Sequence, residues 1–172
     1  LMEVHSATNF VLEGVTLLNS GFWCLHPWNS TNVHIHHTKI LAPSLTECKA
    51  YPRGCNNMDG IDVDSCTNVL IEDNYISVND DHVTILSGRE APGKAFATPS
   101  KNITVRNNRL GHGMGLSVGS SVSGGIEDVL YQGNWMNETA HEWGQGMHIK
   151  SRITFGGYVR NVTWADDYFL HA

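Results

Sequence analysis

The sequence predicts an all-β chain wound as a parallel β-helix, and three observations predict it. A motif of Asn or Asp, apolar, any residue, apolar, four variable residues and a final apolar residue recurs six times. The copies begin at Asn9, Asn32, Asn68, Asn102, Asp128 and Asn161. Successive starts lie 23, 36, 34, 26 and 33 residues apart, so the strands recur while the loops between them vary. A second alternating strand precedes most copies, as Gly60-Ile-Asp-Val-Asp-Ser, His82-Val-Thr-Ile-Leu-Ser, Gly115-Leu-Ser-Val-Gly-Ser and Gly146-Met-His-Ile-Lys-Ser.

In the repeat, Asn or Asp opens each strand and the two apolar positions two residues apart mark its buried face. In the preceding strand, Ile61/Val63, Val83/Ile85, Leu116/Val118 and Met147/Ile149 are expected to point inward. Asp62, Thr84, Ser117 and His148 then form an outward column, with Asp64, Leu86, Gly119 and Lys150 in the next. The stretch Gly21-Phe-Trp-Cys-Leu-His is read as an earlier member of the series. A β-sandwich offers short alternating strands too, but not one signature six times over. Gly and β-branched residues are too dense for a helical fold.

Composition narrows the class. The chain has 172 residues, a net charge of −6 and only 16% charged residues, which argues against nucleic acid as a partner. No apolar run is long enough for a membrane-spanning helix. The four cysteines, Cys24, Cys48, Cys55 and Cys66, form no CxxC pair, so a structural zinc site is not expected. Cys48 and Cys55 bracket a Pro/Gly loop and are placed to close a disulfide. Sequons at Asn29, Asn102, Asn137 and Asn161 favour an extracellular protein, though two of them open predicted strands. The whole of 1–172 reads as a single partial β-helix domain lacking part of its N- and C-terminal coils.

Aligned in register, Asp59 and Asp81 occupy equivalent positions on adjacent coils, about 5 Å apart at the backbone. Asp80 adds a third carboxylate, His112 lies in the turn one coil on, and His148 and Lys150 face outward on the next. A single Asp in a solenoid turn is ordinarily structural. Three in register, with His and Lys, suit glycosidic hydrolysis, in which one carboxylic acid protonates the leaving oxygen and a carboxylate activates water. The cations point to a uronic acid substrate, and Arg89 downstream is a further candidate contact. No residue is assigned to a metal and no cofactor is expected. His34, His36 and His37 resemble a metal site, yet alternation puts His36 and His37 on different sides or in a bend, and a solvated run is preferred. Trp23, Trp28 and Trp143 are weighed as sugar platforms against ordinary packing.

These residues carry a resemblance. Asn57-Met58-Asp59-Gly60, Asn79-Asp80-Asp81 followed by Ser87-Gly88, Gly111-His112-Gly113, and His148-Ile149-Lys150 occur in the order seen in glycoside hydrolase family 28, the polygalacturonases and their relatives. The resemblance implies a right-handed, pectin-lyase-like parallel β-helix. It also implies an inverting hydrolase acting on α-1,4-linked galacturonate in pectic polysaccharide, secreted and monomeric. It further implies Asp80 as general acid, Asp59 and Asp81 as the pair holding and deprotonating water, and His112 as a group tuning their protonation. Lys150 with His148, and Asn57 with Arg89, would bind substrate. Met58 stands in place of Thr, His82 where many members carry Cys, and His148 in place of Arg, which removes a bidentate carboxylate clamp. The alternatives are a rhamnogalacturonan or other pectic hydrolase of the same family, a Ca²⁺-dependent lyase and a non-catalytic glycan-binding β-helix.

Overall fold

The computed structural model describes residues 1–43, 48, 56–136 and 145–170. Three parallel six-stranded sheets wrap one core as a right-handed parallel β-helix, each coil giving one strand to each sheet. The coils are β1 (Met2–His5), β2 (Thr8–Glu13), β3 (Thr16–Leu18); β4 (Leu25–Trp28), β5 (Thr31–His36), β6 (Lys39–Leu41); and β7 (Ile61–Asp64), β8 (Thr67–Glu72), β9 (Tyr75–Ser77). They continue with β10 (Asp81–Leu86), β11 (Ser100–Arg106), β12 (Arg109–Leu110); β13 (Gly115–Val118), β14 (Ile126–Gln132), β15 (Trp135–Met136); and β16 (Gly146–Ile149), β17 (Val159–Ala165), β18 (Tyr168–Phe169). A helix, α1 (Glu90–Phe96), sits in the loop between β10 and β11.

All six sequence repeats are coils, but each repeat is two strands and not one. Its first part forms the second strand of the coil, and its final apolar residue lies on the third. Leu17, Ile40, Ile76, Leu110 and Met136 are all buried there. Between them the chain bends through one residue with positive φ: Gly14, His37, Asp73, Asn107, Gly133 or Asp166.

The repeated Asn/Asp has two physical causes. Each of the six takes positive φ, between 52° and 59°, a conformation Asn and Asp tolerate better than most residues. Their side chains also link coil to coil. Asn32 Nδ2 donates to Asn9 Oδ1 (2.9 Å), Asn68 to Asn32 (3.0 Å), Asn102 to Asn68 (2.8 Å) and Asn161 to Asp128 (3.0 Å). A second ladder, built from the seventh position of the repeat, runs inside the solenoid. Thr38 Oγ1 donates to Asn74 Oδ1, and Nδ2 of Asn74, Asn108 and Asn134 donates to the next Oδ1, ending on Asp167. The same Nδ2 atoms also donate to the carbonyls of Ile35, Ile71 and Val105, so both amide hydrogens are used.

The expected inward residues Ile61, Val63, Val83, Ile85, Leu116 and Val118 are fully buried. Met147 and Ile149 are instead 49% and 54% exposed; among the described residues no further strand pairs with β16. The earlier member of the first-sheet series begins later than Gly21. Leu25 pairs with Ile61 and Trp28 with Asp64, so Leu25-His-Pro-Trp is the strand. Met2–His5 is a still earlier member that the sequence reading did not include. Cys48 is disulfide-bonded, whereas Cys24 and Cys66 are free and buried; Cys55, Asn137 and Trp143 lie outside the described residues. Among the described residues no helix is long and apolar enough to cross a membrane.

Candidate active site

The first sheet (β1-β4-β7-β10-β13-β16) carries the polar columns. Val83 pairs with Ile61 and Thr84 with Asp62, and this register carried back two residues sets Asp81 on the rung beside Asp59. The backbones are tied at that point, since Gly60 N–H donates to the Asp81 carbonyl at 2.9 Å. Gly60 is required there: a Cβ would meet the His82 carbonyl and lie 2.7 Å from Ile76 Cγ2. On the other side of β10 the ladder slips. Asp81 faces Gly115 and Val83 faces Leu116, so His82 is an extra residue that turns the strand locally, as bulges beside active sites do.

One oxygen from each of Asp59, Asp80 and Asp81 lies within 4.8 Å of the others, close enough that the trio could also share a cation. They line a cleft of about 330 Å³ together with Asn57, Asp62, Thr84, Arg89, Lys150, Arg152, Phe22 and Trp23. Asp81 has no exposed surface. Its Oδ2 accepts from Lys150 Nζ at 2.6 Å and from Thr84 Oγ1 at 3.1 Å, while His148 Nε2 stands 3.6 Å from Oδ1. Asp80 Oδ1 accepts the N–H of Asp81 at 2.9 Å and is half-buried at the cleft wall.

These surroundings push the charges apart. Burial, then the negative charges of Asp80 and Asp81, raise the Asp59 carboxyl to about 8. Burial and then Asp81 raise Asp80. Burial, reinforced by Asp59, raises Asp62 well above the carboxylate range, and both of its buried oxygens lack a hydrogen-bond partner. Burial opposes the Lys150 charge, but Asp81 outweighs it and the ammonium is held more firmly than usual. Burial lowers His148 despite the Asp81 charge, so this position supplies a largely neutral imidazole in place of a fixed cation. The site therefore favours protons on Asp59 and Asp62 beside the contact of Asp81 with Lys150.

Of the sequence candidates, Asp59, Asp80, Asp81, Asn57, Arg89 and Lys150 line the cleft, and His148 approaches Asp81. His112 is not among the cleft-lining residues; it sits in the turn after β12, where its carbonyl accepts from Val78 N–H at 2.7 Å. The histidine that supports this turn is His82. Gly115 N–H donates to its Nδ1 at 3.1 Å, which leaves Nε2–H to donate to the Gly111 carbonyl at 3.0 Å. Its burial depresses the imidazole to about 4, so the ring is neutral and structural. Asp64, also in the outward column, caps a loop by accepting from Gly88 N–H and Ser65 Oγ. Trp28 stacks on Phe96 at 5.1 Å, whereas Trp23 stacks on Phe22 at the cleft edge.

Cleft residues that escaped the sequence reading include Arg152 and Phe22. Arg152 continues the alternation from His148 and Lys150, a signal that was available. It and Arg89 lie over the ring of Phe155, at 5.9 and 5.4 Å from its centroid. Phe22 comes from a loop whose sequence carries no such signal.

Known proteins match this chain along its length. It is 35% identical over 164 residues to a "Probable polygalacturonase" of Vitis vinifera, covering 94% of this chain and 31% of that protein. The fold superposes on an exopolygalacturonase structure from Thermotoga maritima with a TM-score of 0.73 at 31% identity, covering 94% of this chain and 36% of that one. On a polygalacturonase from Erwinia carotovora the TM-score is 0.75 at 26% identity, covering 100% and 43%. The chain spans about a third of the length of the curated relatives it matches. Residues 1–169 match the pattern of the glycosyl hydrolases family 28, and with the carboxylate-lined rungs of its first sheet the chain belongs to that family.

Proposed function

We propose that this chain forms the catalytic face of a secreted polygalacturonase that hydrolyses α-1,4-galacturonate linkages in pectic polysaccharide with inversion. The observation that carries the reading is the convergence of three carboxyls within 4.8 Å beside Lys150 in one cleft. Asp80, raised by burial and by Asp81 and half-exposed at the cleft wall, is the carboxyl placed to give a proton to a glycosidic oxygen. Asp81, ion-paired to Lys150, is the anion that accepts a proton from water. Asp59, on the adjacent rung, orients that water.

In the reaction the water oxygen bonds to the anomeric carbon as the bond to the leaving oxygen breaks. That bond's electron pair leaves with the oxygen, which takes the Asp80 proton, and the water proton passes to Asp81. Lys150 uses one of its three hydrogens on Asp81 and has two left for a uronate carboxylate. Arg89 and Arg152 add permanent charge at the cleft wall. The nearest-oxygen separations are tighter than the roughly 6.5–9.5 Å between carboxyl groups typical of inverting enzymes, so inversion rests on family membership. The neutral His148 favours one alternative, a hydrolase of another pectic chain. The reading includes action as a monomer, with neither nucleic acid nor membrane as partner.

The test is product analysis of the full-length enzyme on polygalacturonate and rhamnogalacturonan, with anomeric NMR. New reducing ends of inverted configuration are expected, and Asp80→Asn should lower turnover at least about 100-fold while oligogalacturonate binding persists. Unchanged turnover in that variant would remove Asp80 as the acid. Unsaturated, ultraviolet-absorbing products would replace hydrolysis with elimination.

A further inference from the structure

A second convergence of ligand-type side chains lies on a different sheet from the cleft. Glu13 ends β2, and His36 ends β5 directly opposite it in register. His37 follows at the corner with φ 52°, which turns its ring back toward its neighbour. One oxygen of Glu13 and one nitrogen from each imidazole lie within 4.8 Å of one another. His36 Nδ1 is 2.8 Å from His37 Nδ1 and 3.9 Å from Glu13 Oε1. Ligand atoms around a tetrahedral zinc sit about 3.3 Å apart, given bonds of about 2.0–2.1 Å, and the observed separations bracket that value.

The central ring is also held in place. His36 stacks on His34 with centroids 4.1 Å apart, His34 Nε2 meets Glu72 Oε1 at 2.9 Å, and Arg106 Nε donates to Glu72 at 2.7 Å. This chain of contacts fixes ring orientation from behind, as outer-shell partners do at metal sites. Two imidazoles with one carboxylate suit zinc, copper or nickel better than calcium or magnesium. The corner at His37, which argued from sequence for a solvated run, is what aims both nitrogens at one point.

We propose that Glu13, His36 and His37 form a surface site for a divalent transition metal of the zinc class, clamping the first coil to the second. The clamp would tie β2 to β5, strands that already pair in register. The clamp does not depend on the hydrolase reading. Binding only the folded state, the metal stabilises the chain in proportion to the logarithm of its concentration over Kd.

The experiment titrates zinc chloride into the full chain by calorimetry and follows thermal unfolding with and without chelator. One zinc per chain is expected, with a rise in Tm that chelator reverses. Glu13→Gln and His37→Asn should each weaken zinc binding at least about 10-fold and abolish the rise. Asn is chosen because it accepts positive φ, so the corner survives. His5→Ala, a surface histidine outside the cluster, should change neither readout. Absence of zinc binding by the wild type would overturn the proposal. So would binding that persists in His37→Asn, as it would if the carboxyls of the cleft held the metal.

Discussion

Asp59 offers a way to weigh the electrostatics of the cleft through stability as well as through activity. Its carboxyl is 5% exposed and is raised from 3.8 to about 8, by burial first and by Asp80 and Asp81 next. For a carboxyl raised on folding, the native state binds the proton more tightly than the unfolded chain. Its contribution is therefore complete below pH about 4 and is lost progressively as pH rises toward 8. Each pH unit in that window costs about 1.4 kcal/mol, a ceiling of about 4 kcal/mol by neutrality. Asp62 and Asp80 compete for the same protons, so about half of it, near 2 kcal/mol, is expected to be Asp59's own. Asp59→Asn carries no such proton. At pH 4 it should be equal to wild type or about 1 kcal/mol weaker, because the amide adds a donor with no acceptor. By pH 7 it should be about 1–2 kcal/mol more stable, a Tm gain of about 2–8 °C, while hydrolysis is expected to collapse. Urea unfolding followed by circular dichroism at both pH values measures this. A stability difference that stays constant between them, or moves against the variant as pH rises, would refute the reasoning.

Other outcomes follow from the same contacts. Asn108→Ala removes the middle of the internal ladder, stranding the Asn74 amide and the Ile71 carbonyl, and should cost about 3–5 kcal/mol in chemical denaturation. Gly113→Ala drives a methyl group into the His82 ring and should destabilise by about 1–3 kcal/mol; combining it with His82→Ala should cost less than the two changes summed. Lys150→Met takes the partner from a fully buried carboxylate and should lower kcat/KM on polygalacturonate at least about 10-fold, with most of the loss regained on no neutral glycan.

Much of this architecture was legible because a solenoid writes its cross-section repeatedly into the chain. The six Asn/Asp positions and the inward pairs on β7, β10 and β13 follow from period and alternation alone. So does the juxtaposition of Asp59 with Asp81, since register on adjacent rungs is a counting matter once the strands are found. What escaped was whatever the count does not reach. The bend at His37, Asp73 and Asn107 splits each repeat into two strands without interrupting its apolar pattern. The Asn74-Asn108-Asn134 ladder recurs at the seventh position of the repeat, but its burial is not legible because polar residues at corners ordinarily face water. The bulge at His82 shifts one side of β10 by a residue, which alternation alone does not foresee. Phe22 arrives from a segment whose placement depends on what it packs against, whereas Arg152 was within reach of the alternation from His148 and Lys150.

The corners of the coil are unequal, and this bears on how such an enzyme can be retooled. Second and third strands are joined by two residues in all six coils, whereas the other two junctions range from two residues to the long segments 42–60 and 87–99. Insertional variation is thus confined to the stretches that border the first sheet, where the cleft lies. A lineage can lengthen those stretches, reshaping the walls of the cleft, without moving Asp59 relative to Asp81. The same residues added after Glu72 or Arg106 would throw both polar ladders out of step, and transposon mutagenesis should recover few functional insertions there.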